Sequence, residues 1–260
     1  MKALVKRLLG RTPAANPGAE FARAFRPAQP SATVRKVPDP NPLEEWFEAH
    51  TSGAGVWKWR HYFEAYHRHL AKFRGRSPVV LEVGIFSGGS IDLWRDYFGE
   101  GTRYYGCDIA PECKAYERPG VEVLVGDQGS RSFWRDALAR IPAPDVVLDD
   151  GSHDPAHQRT TLECVLPHLK PGGVYVCEDV HGRGNPFAAF ARGMADELNA
   201  ANPPTAQSES RAERPCTPFQ SAVHSLHFYP FVVVLERRGD PMPSLVSERR
   251  GTRWQPFLPL

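Results

Sequence analysis

The stretch PVVLEVGIFSGGS, residues 78–90, predicts how this chain folds. Its first half is a short, continuous apolar run that ends at Gly84, as expected for a buried strand of a parallel sheet. Its second half is a glycine-rich turn, and a helix is predicted after it over residues 89–98. A strand, a tight turn and a helix in this order are typical of a doubly wound α/β fold.

The same alternation continues along the chain. Four more strands are predicted over residues 103–109, 121–127, 144–150 and 172–179. Further helices are predicted over residues 130–140, 155–168 and 186–199. A closing antiparallel pair is predicted over residues 220–229 and 231–237, with its turn at Pro230. The sequence therefore predicts a Rossmann-like sheet of seven strands, mostly parallel with the last strand antiparallel, in one domain over residues 77–238.

Three segments fall outside this pattern. Residues 1–41 are rich in proline and basic side chains and cannot bury much surface, which predicts a flexible basic arm. Residues 200–218 are polar and proline-rich, and a connection of this length is typical of a lid or a disordered loop. Residues 239–260 are predicted to be an irregular tail.

Two helices are predicted between the arm and the domain, over residues 42–76. The first begins at Pro42, since proline is favoured in the first turn of a helix. The second runs roughly over Val56–Phe73 and has aromatic side chains at helical spacing. We assign Trp57, Lys58, Trp59 and Tyr62 to the packing of this helix, with a lid over a bound ligand as the alternative.

Charge and cysteine content limit the possible functions. The 32 basic and 30 acidic residues give a net charge of +2, which argues against a general attraction to nucleic acid. The five cysteines are scattered and form no C-x-x-C pair, so neither a disulfide nor a zinc framework is indicated. The start of the chain does not resemble a signal peptide, and no run approaches the ~20 apolar residues of a membrane span. We expect a cytoplasmic protein.

The glycine turn argues against a phosphate-binding ligand. A P-loop requires lysine where this chain has Ser90, and a dinucleotide loop requires glycine where it has Phe86. S-adenosylmethionine carries no phosphate, and it requires a tight turn and a carboxylate for its ribose. Asp108 follows Gly84 by 24 residues, near the ~20 expected for a ribose-binding acid.

Acidic residues stand near the ends of three successive predicted strands. Asp127 could accept a hydrogen bond from the adenine amino group, and Glu82 could orient the amino-acid end of the cofactor. Each alone could equally be a helix cap or a surface charge. Together with Asp108 they predict an S-adenosylmethionine site at the carboxyl edge of the sheet. We also assign Ser90 and Asp149 to this site.

The next two strands end in DDGSH, residues 149–153, and in ED, residues 178–179. If these strands are neighbours, Asp150, Glu178 and Asp179 converge and repel one another, which a hard cation such as Mg²⁺ relieves. A metal of this kind activates a weakly nucleophilic hydroxyl, and His153 is the predicted general base. The alternative is that the two aspartates cap the next helix and that His153 is a surface residue.

These motifs resemble a known family. LEVGIFSGGS, YYGCDI, VVLDDGSH and LPHLKPGGVYVCEDVHG together resemble the macrolide sugar O-methyltransferases of the mycinamicin and tylosin pathways and their uncharacterised bacterial relatives. The resemblance spans about residues 50–237. It implies a magnesium-dependent O-methyltransferase in which Asp150, Glu178 and Asp179 hold the metal. The implied cofactor-binding residues are Glu82, Gly84, Asp108, Asp127 and Gln128.

The resemblance also implies a homo-oligomer that acts on a hydroxyl of a sugar or another polar natural product. It does not cover the first 40 residues or the 200–218 loop, so the identity of the acceptor cannot be carried over. Two alternative functions stay open. One is a methyltransferase for RNA or protein guided by the basic arm, although a nucleic acid partner is disfavoured. The other is a cofactor-binding partner subunit without turnover.

Overall fold

The computed structural model describes four segments of the chain, residues 16–26, 40–200, 213–248 and 250–251. The chain divides into two compact units, residues 1–39 and residues 40–260. Among the described residues, the helices are all too short or too polar to cross a membrane.

The first unit contains helix α1 (Pro17–Ala24). Asn16 caps it, because its side chain accepts a hydrogen bond of 3.1 Å from the backbone N–H of Ala19. The helix buries none of its residues. The flexibility expected of the arm from the sequence stays a prediction. The rest of the predicted arm, residues 1–15 and 27–39, lies outside the described residues.

The second unit is built on a seven-stranded sheet. In chain order, the strands of this unit are β1 (Val79–Val83), β2 (Arg103–Asp108), β3 (Val121–Val125), β4 (Val146–Asp149), β5 (Val174–Cys177), β6 (Glu213–Pro215), β7 (Val223–Tyr229), β8 (Val232–Arg237) and β9 (Ser244–Val246). The sheet has the order β3-β2-β1-β4-β5-β8-β7. Neighbours among β1 to β5 are parallel, and β8 is antiparallel to both β5 and β7. The predicted fold class, with an antiparallel last strand, is confirmed.

Helices cover both faces of the sheet. They are α2 (Pro42–Ala49), α3 (Tyr62–Leu70), α4 (Gly89–Phe98), α5 (Arg131–Leu138), α6 (Pro155–Val165), α7 (Pro186–Leu198) and α8 (Pro218–Ala222). Residues of α2, α3 and α4 pack around Trp94 against one face, where Val80 and Leu148 contribute from β1 and β4. Residues of α5, α6 and α7 pack with Leu81 and Val147 on the other face. Because adjacent strand residues point to opposite faces, strands buried on both sides read as continuous apolar runs.

The predicted helix over Val56–Phe73 is wrong in its first part. Helix α3 begins at Tyr62, and residues 50–61, which we call the strap, belong to no helix. Trp57 is 89% exposed and therefore does not pack in a helical stripe. Lys58 instead reaches carboxylates more than 90 residues away, and this tertiary contact outweighs the local helical pattern.

The end of the chain contains more regular structure than the sequence predicts. β6 and β9 form a separate two-stranded antiparallel sheet, so residues 213–215 of the predicted loop and residues 244–246 of the predicted tail are strands. The predicted strand over residues 220–229 begins later, at Val223. The residues just before Val223 are helical, because Thr217 caps the short helix α8 through a capping box with Gln220. Residues 201–212 lie outside the described residues.

Candidate active site

The carboxyl ends of β1 to β5 surround a cavity of about 670 Å³. Ligands of open α/β sheets bind at this edge, since the loops that follow the parallel strands converge there. The strap contributes residues 55–59 to the wall. Of the residues predicted from the sequence, those on the wall are Gly84, Ser90, Asp108, Asp127, Gln128, Asp150, His153, Glu178 and Asp179.

Gly84 allows the turn after β1 to lie directly against the loop after β4. Its φ of +85° is in the left-handed region. A Cβ atom at this position would lie 2.2 Å from the backbone oxygen of Asp150 and 2.7 Å from the Cα of Gly151. A larger residue would push these two loops apart, so glycine is required for the shape of the cavity.

Asp108, the last residue of β2, fastens the glycine turn. Its Oδ2 accepts hydrogen bonds of 3.1 Å from the backbone N–H groups of Ile85 and Phe86. Its Oδ1 accepts one of 2.9 Å from the N–H of Ala110. The carboxylate is therefore fixed beside the turn while it faces the cavity, and a carboxylate has about four acceptor positions in all.

Asp127 and Gln128 follow β3 and differ in environment. Asp127 is exposed, and its carboxylate accepts a hydrogen bond of 2.7 Å from the N–H of Gly129. Gln128 is buried, donates to Asp149 Oδ1 at 3.0 Å and accepts from the N–H of Ser152 at 2.5 Å. Gln128 thus joins the loop after β3 to the loop after β4, and Asp127 is left at the mouth of the cavity.

Glu82 and Asp149 lie beneath the cavity wall rather than on it. Glu82 is fully buried and accepts hydrogen bonds from Trp94 and from Tyr104. Asp149 accepts one of 2.7 Å from the hydroxyl of Tyr175, and its burial raises its pKa to about 6. Both acids support the strands that carry the site, and their predicted contact with a cofactor stays a prediction.

Asp150 and Glu178 are neighbours because of strand register. Asp149 lies opposite Cys177 at the ends of β4 and β5, which sets the next residues side by side. Lys58 of the strap lies between the two carboxylates. Its Nζ is 2.5 Å from Asp150 Oδ2 and 2.9 Å and 3.0 Å from the two oxygens of Glu178.

This ion pair is almost dry. The side chains of Lys58 and Glu178 are 2% and 1% exposed. Burial alone lowers the pKa of Lys58, but the carboxylates of Asp150 and Glu178 outweigh burial and raise the pKa well above its ordinary value. Burial and the charge of Asp150 raise the pKa of Glu178, against the opposing effect of Lys58. Lys58 is thus a charged group that stabilises two crowded acids.

His153 and Asp179 complete the polar end of the cavity. His153 Nε2 is 3.5 Å from Asp179 Oδ2, and Asp179 Oδ1 accepts hydrogen bonds from Trp59 at 3.0 Å and Tyr62 at 2.8 Å. Ligand atoms of Asp150, His153 and Asp179 all lie within 4.8 Å of one another. The structure therefore brings together two of the three predicted metal ligands with the predicted base, and it pairs the third, Glu178, with Lys58.

Backbone strain is concentrated at this cavity. Phe86, His153 and Asp179 have φ values of +40°, +57° and +54°, a region that residues other than glycine rarely adopt. His153 Nδ1 is also buried without a hydrogen-bond partner among the described residues. Strained residues and unpaired polar atoms persist where the surrounding structure enforces them, and they are typical of functional sites.

Lys58 differs from its prediction. The sequence assigns it, with Trp57, Trp59 and Tyr62, to the packing of a helix or to a lid, and does not predict its ion pair with Asp150 and Glu178. The number of acidic residues at the carboxyl edge could have indicated a basic partner. Three converging acids require a positive charge close by, and Lys58 is a basic residue of the strap.

Comparisons with known proteins find methyltransferases. Residues 81–180 match the family described as "Methyltransferase domain". The chain is 35% identical over 217 residues to the 8-demethyl-8-alpha-L-rhamnosyl tetracenomycin-C 2'-O-methyltransferase of Streptomyces olivaceus, which covers 76% of this chain and 56% of that protein. It is 38% identical over 123 residues to the mycinamicin VI 2''-O-methyltransferase of Micromonospora griseorubida, covering 44% of this chain and 30% of that protein.

A solved structure has a similar fold. It is MycE, the methyltransferase of the mycinamycin biosynthetic pathway, in complex with Mg and SAH. The TM-score is 0.63 at 26% sequence identity, over 77% of this chain and 55% of MycE. The matched part is 56% of the tetracenomycin enzyme and 55% of MycE, so the chain spans about half the length of these two relatives.

Proposed function

We propose that this chain, which carries a class I methyltransferase domain, transfers a methyl group from S-adenosylmethionine to a hydroxyl of a sugar or another polar small molecule in natural-product biosynthesis. The observation that carries the proposal is a single cavity that contains both Asp108, beside the glycine turn, and the cluster of Asp150, His153 and Asp179. A cofactor site and a proton acceptor on one wall suit direct transfer between two bound molecules. The names of the relatives support a sugar hydroxyl as acceptor.

The residues around the glycine turn fit the methyl donor. Asp108 uses three acceptor positions on the backbone, and a carboxylate retains capacity for a ribose hydroxyl. Asp127 at the cavity mouth is free to accept from an adenine amino group. Ser90 stands in the first turn of α4, where the positive end of the helix dipole attracts the carboxylate of the methionine part. Gln128 lines the cavity and would contact the cofactor. Glu82 and Asp149 would act from beneath by holding these loops.

The carboxylates present fit Mg²⁺. Asp150, Glu178 and Asp179 offer hard oxygen ligands at the ends of two adjacent strands, and these three residues would hold the ion. A bound Mg²⁺ would lower the pKa of an acceptor hydroxyl and fix its orientation. The chain itself supplies the remaining groups, which are Lys58 as a counter-charge and His153 as a proton acceptor.

His153 is the residue that we propose accepts the proton. Histidine is the side chain that exchanges protons most readily near neutral pH, and Nε2 of His153 faces Asp179 across 3.5 Å. The negative charge of Asp179 would stabilise the imidazolium that forms. Tyr62 and Trp59 donate hydrogen bonds to the other oxygen of Asp179. They would keep this carboxylate oriented toward His153.

The mouth of the cavity suits an acceptor with an apolar body. Trp57, Trp59 and Phe86 line the cavity and are 89%, 51% and 77% exposed. Exposed aromatic side chains next to a polar cluster are typical of a ligand site rather than of ordinary surface. A glycosylated acceptor would place its apolar part on these rings and its hydroxyl near His153.

We also propose that the enzyme works in the cytoplasm as a homo-oligomer. All five cysteines are free, which suits a reducing compartment. The family resemblance is the basis for the oligomer. Sedimentation at working concentrations tests the oligomer, and a monomer would rule it out.

A transfer screen tests the proposed function. Purified protein is incubated with methyl-labelled S-adenosylmethionine, Mg²⁺ and a panel of glycosylated and phenolic acceptors. We expect label on a sugar hydroxyl of at least one glycoside, and its loss in the His153→Ala variant. Transfer only to phenols would reject the sugar acceptor. Equal transfer by His153→Ala would reject the proposed base.

A further inference from the structure

Lys58 binds the same carboxylate oxygens that a divalent cation would bind. The ammonium nitrogen lies within 3.0 Å of Asp150 Oδ2 and of both oxygens of Glu178. Asp150 and Glu178 are two of the three residues proposed to hold Mg²⁺. A cation that contacted them would lie next to the ammonium, and two like charges repel strongly where little water screens them.

The position of Lys58 is built by the fold. The strap packs closely on the start of α4, because a Cβ on Gly89 would lie 2.4 Å from the backbone oxygen of Ala54 and 2.6 Å from that of Gly55. At its other end, His61 Nε2 lies 2.9 Å from the backbone oxygen of Pro230. These contacts fix the backbone on both sides of Lys58.

The side chain of Lys58, by contrast, borders the cavity. A lysine carries its charge on a flexible four-carbon stem. The ammonium can therefore swing into the cavity while the strap stays in place. Asp127 and His153 are polar groups that line the same cavity.

We propose that Lys58 is an internal cation that competes with the divalent ion for Asp150 and Glu178 and so sets the affinity of the site for Mg²⁺. Without the ion, Lys58 neutralises the two acids and keeps the carboxyl edge folded. When the ion binds, the ammonium leaves both carboxylates. The identity of the ion rests on the proposed function, but the competition itself concerns only residues of this chain.

A rival arrangement makes the opposite prediction. Asp150, His153 and Asp179 also offer ligand atoms within 4.8 Å of one another, and a cation held by them could leave Lys58 on Glu178. Lys58 would then be a permanent part of the site that offsets excess negative charge. In that arrangement, removal of Lys58 would weaken or leave unchanged the binding of Mg²⁺.

The test measures Mg²⁺ alone, without methyl donor or acceptor. Calorimetry is done on wild type, Lys58→Met, Lys58→Gln and a matched control, Lys170→Met. Lys170 forms an ion pair of 2.7 Å with Asp145 at the other end of β4, so its removal deletes a lysine–aspartate pair away from the cavity. We expect both Lys58 variants to bind Mg²⁺ at least about tenfold more tightly than wild type, and Lys170→Met to bind like wild type.

Thermal unfolding supplies a second readout. In EDTA, Lys58→Met should melt about 10 °C below wild type, because two buried carboxylates lose their counter-charge. Saturating Mg²⁺ should restore most of that loss, whereas wild type should gain little. If Lys58→Met is unfolded in EDTA, refolding on addition of Mg²⁺, followed by circular dichroism, takes the place of the melting shift.

Three results would overturn the proposal. They are Mg²⁺ binding by both Lys58 variants that is no tighter than in wild type, tighter binding by Lys170→Met of the same size, and failure of Mg²⁺ to restore the stability or folding of Lys58→Met. None of these measurements involves methyl transfer. A failed transfer screen would therefore leave this proposal standing, and failure of this proposal would leave the transfer activity standing.

Discussion

The two ends of β4 each carry a lysine–aspartate ion pair, and the two pairs differ in setting. At the amino end, Lys170 Nζ lies 2.7 Å from Asp145 Oδ2, and both side chains are partly exposed. At the carboxyl end, Lys58 Nζ lies 2.5 Å from Asp150 Oδ2, and the lysine side chain is 2% exposed. An exposed pair contributes at most about 1 kcal/mol, whereas burying a pair carries a large desolvation cost.

The two ion pairs also differ in what they connect. The amino-edge pair ties local segments together, since Asp145 also accepts a hydrogen bond of 2.7 Å from the N–H of Val79 at the start of β1. The carboxyl-edge pair lines a cavity and touches a second acid, Glu178. A buried pair is weak evidence for stability alone, so its position beside strained residues favours a functional reason for it.

The largest expected effect is a difference in kcat between variants of two histidines that lie at opposite edges of the sheet. His153 lies in the cavity, and His69 pairs with Glu236, which lies opposite the first residue of β5. His153→Ala should lower kcat by about 10²–10⁴-fold with little change in melting temperature, because it removes a general base. His69→Ala should lower the melting temperature and leave kcat of the folded enzyme within about twofold of wild type. Steady-state kinetics and thermal melts on both variants measure this.

If both variants lost activity to the same degree at equal folded fraction, the division between a catalytic edge and a structural edge would be wrong. A His153→Ala variant with wild-type kcat would remove this residue from the mechanism.

Removal of the divalent ion should also impair the carboxyl edge of the sheet. We expect EDTA to stop transfer while S-adenosylmethionine still binds, because the ion would act on the acceptor hydroxyl rather than on the cofactor. Asp150→Asn should behave in the same way and should not recover with added Mg²⁺. Asp145→Asn is the matched control at the other end of β4, with unchanged activity expected. Full turnover in EDTA would separate the metal from the reaction.

Much of the fold was predictable from local sequence. The runs that end at Gly84 and Asp108 are strands because continuous apolar residues suit a sheet covered on both faces, and α4 spans residues 89–98 as predicted. The acids at the strand ends were predictable because parallel strands bring their carboxyl ends to one edge.

The rest depended on distant contacts. Lys58 meets Asp150 and Glu178 across 92 and 120 residues of chain, and local periodicity holds no information about such a pair. The pairing of β6 with β9 likewise joins two segments that each look irregular alone. Glu82 and Asp149 are buried below the cavity. The sequence pattern does not reveal how far below the cavity wall a residue near the end of a strand lies.

The smallest expected effect concerns pH at the amino edge. The hydrogen bond from His69, with the nearby Lys72, holds the pKa of Glu236 at about 2 instead of 4.5. The folded state therefore binds this proton less readily than the unfolded state, and the contribution to stability is present above about pH 4.5 and lost as pH falls toward 2. Glu236→Gln should melt about 2–4 °C below wild type at neutral pH, and the gap should close in acid.

Melting curves of both proteins between neutral pH and about pH 2.5 follow this gap. A gap that stays constant over the range would show that Glu236 contributes through packing and not through its charge. Transfer activity should not follow this titration, since Glu236 lies outside the cavity.

Calorimetric titration of S-adenosylmethionine into wild type and Asp108→Ala tests directly whether the carboxyl edge holds the methyl donor. Asp145→Ala, which removes an aspartate at the amino edge, is the control. We expect wild type and Asp145→Ala to bind alike, and Asp108→Ala to bind at least about 100-fold more weakly through loss of charge-assisted hydrogen bonds to the ribose. Equal binding by wild type and folded Asp108→Ala would show that Asp108 does not hold the methyl donor and that the carboxyl edge is not its site.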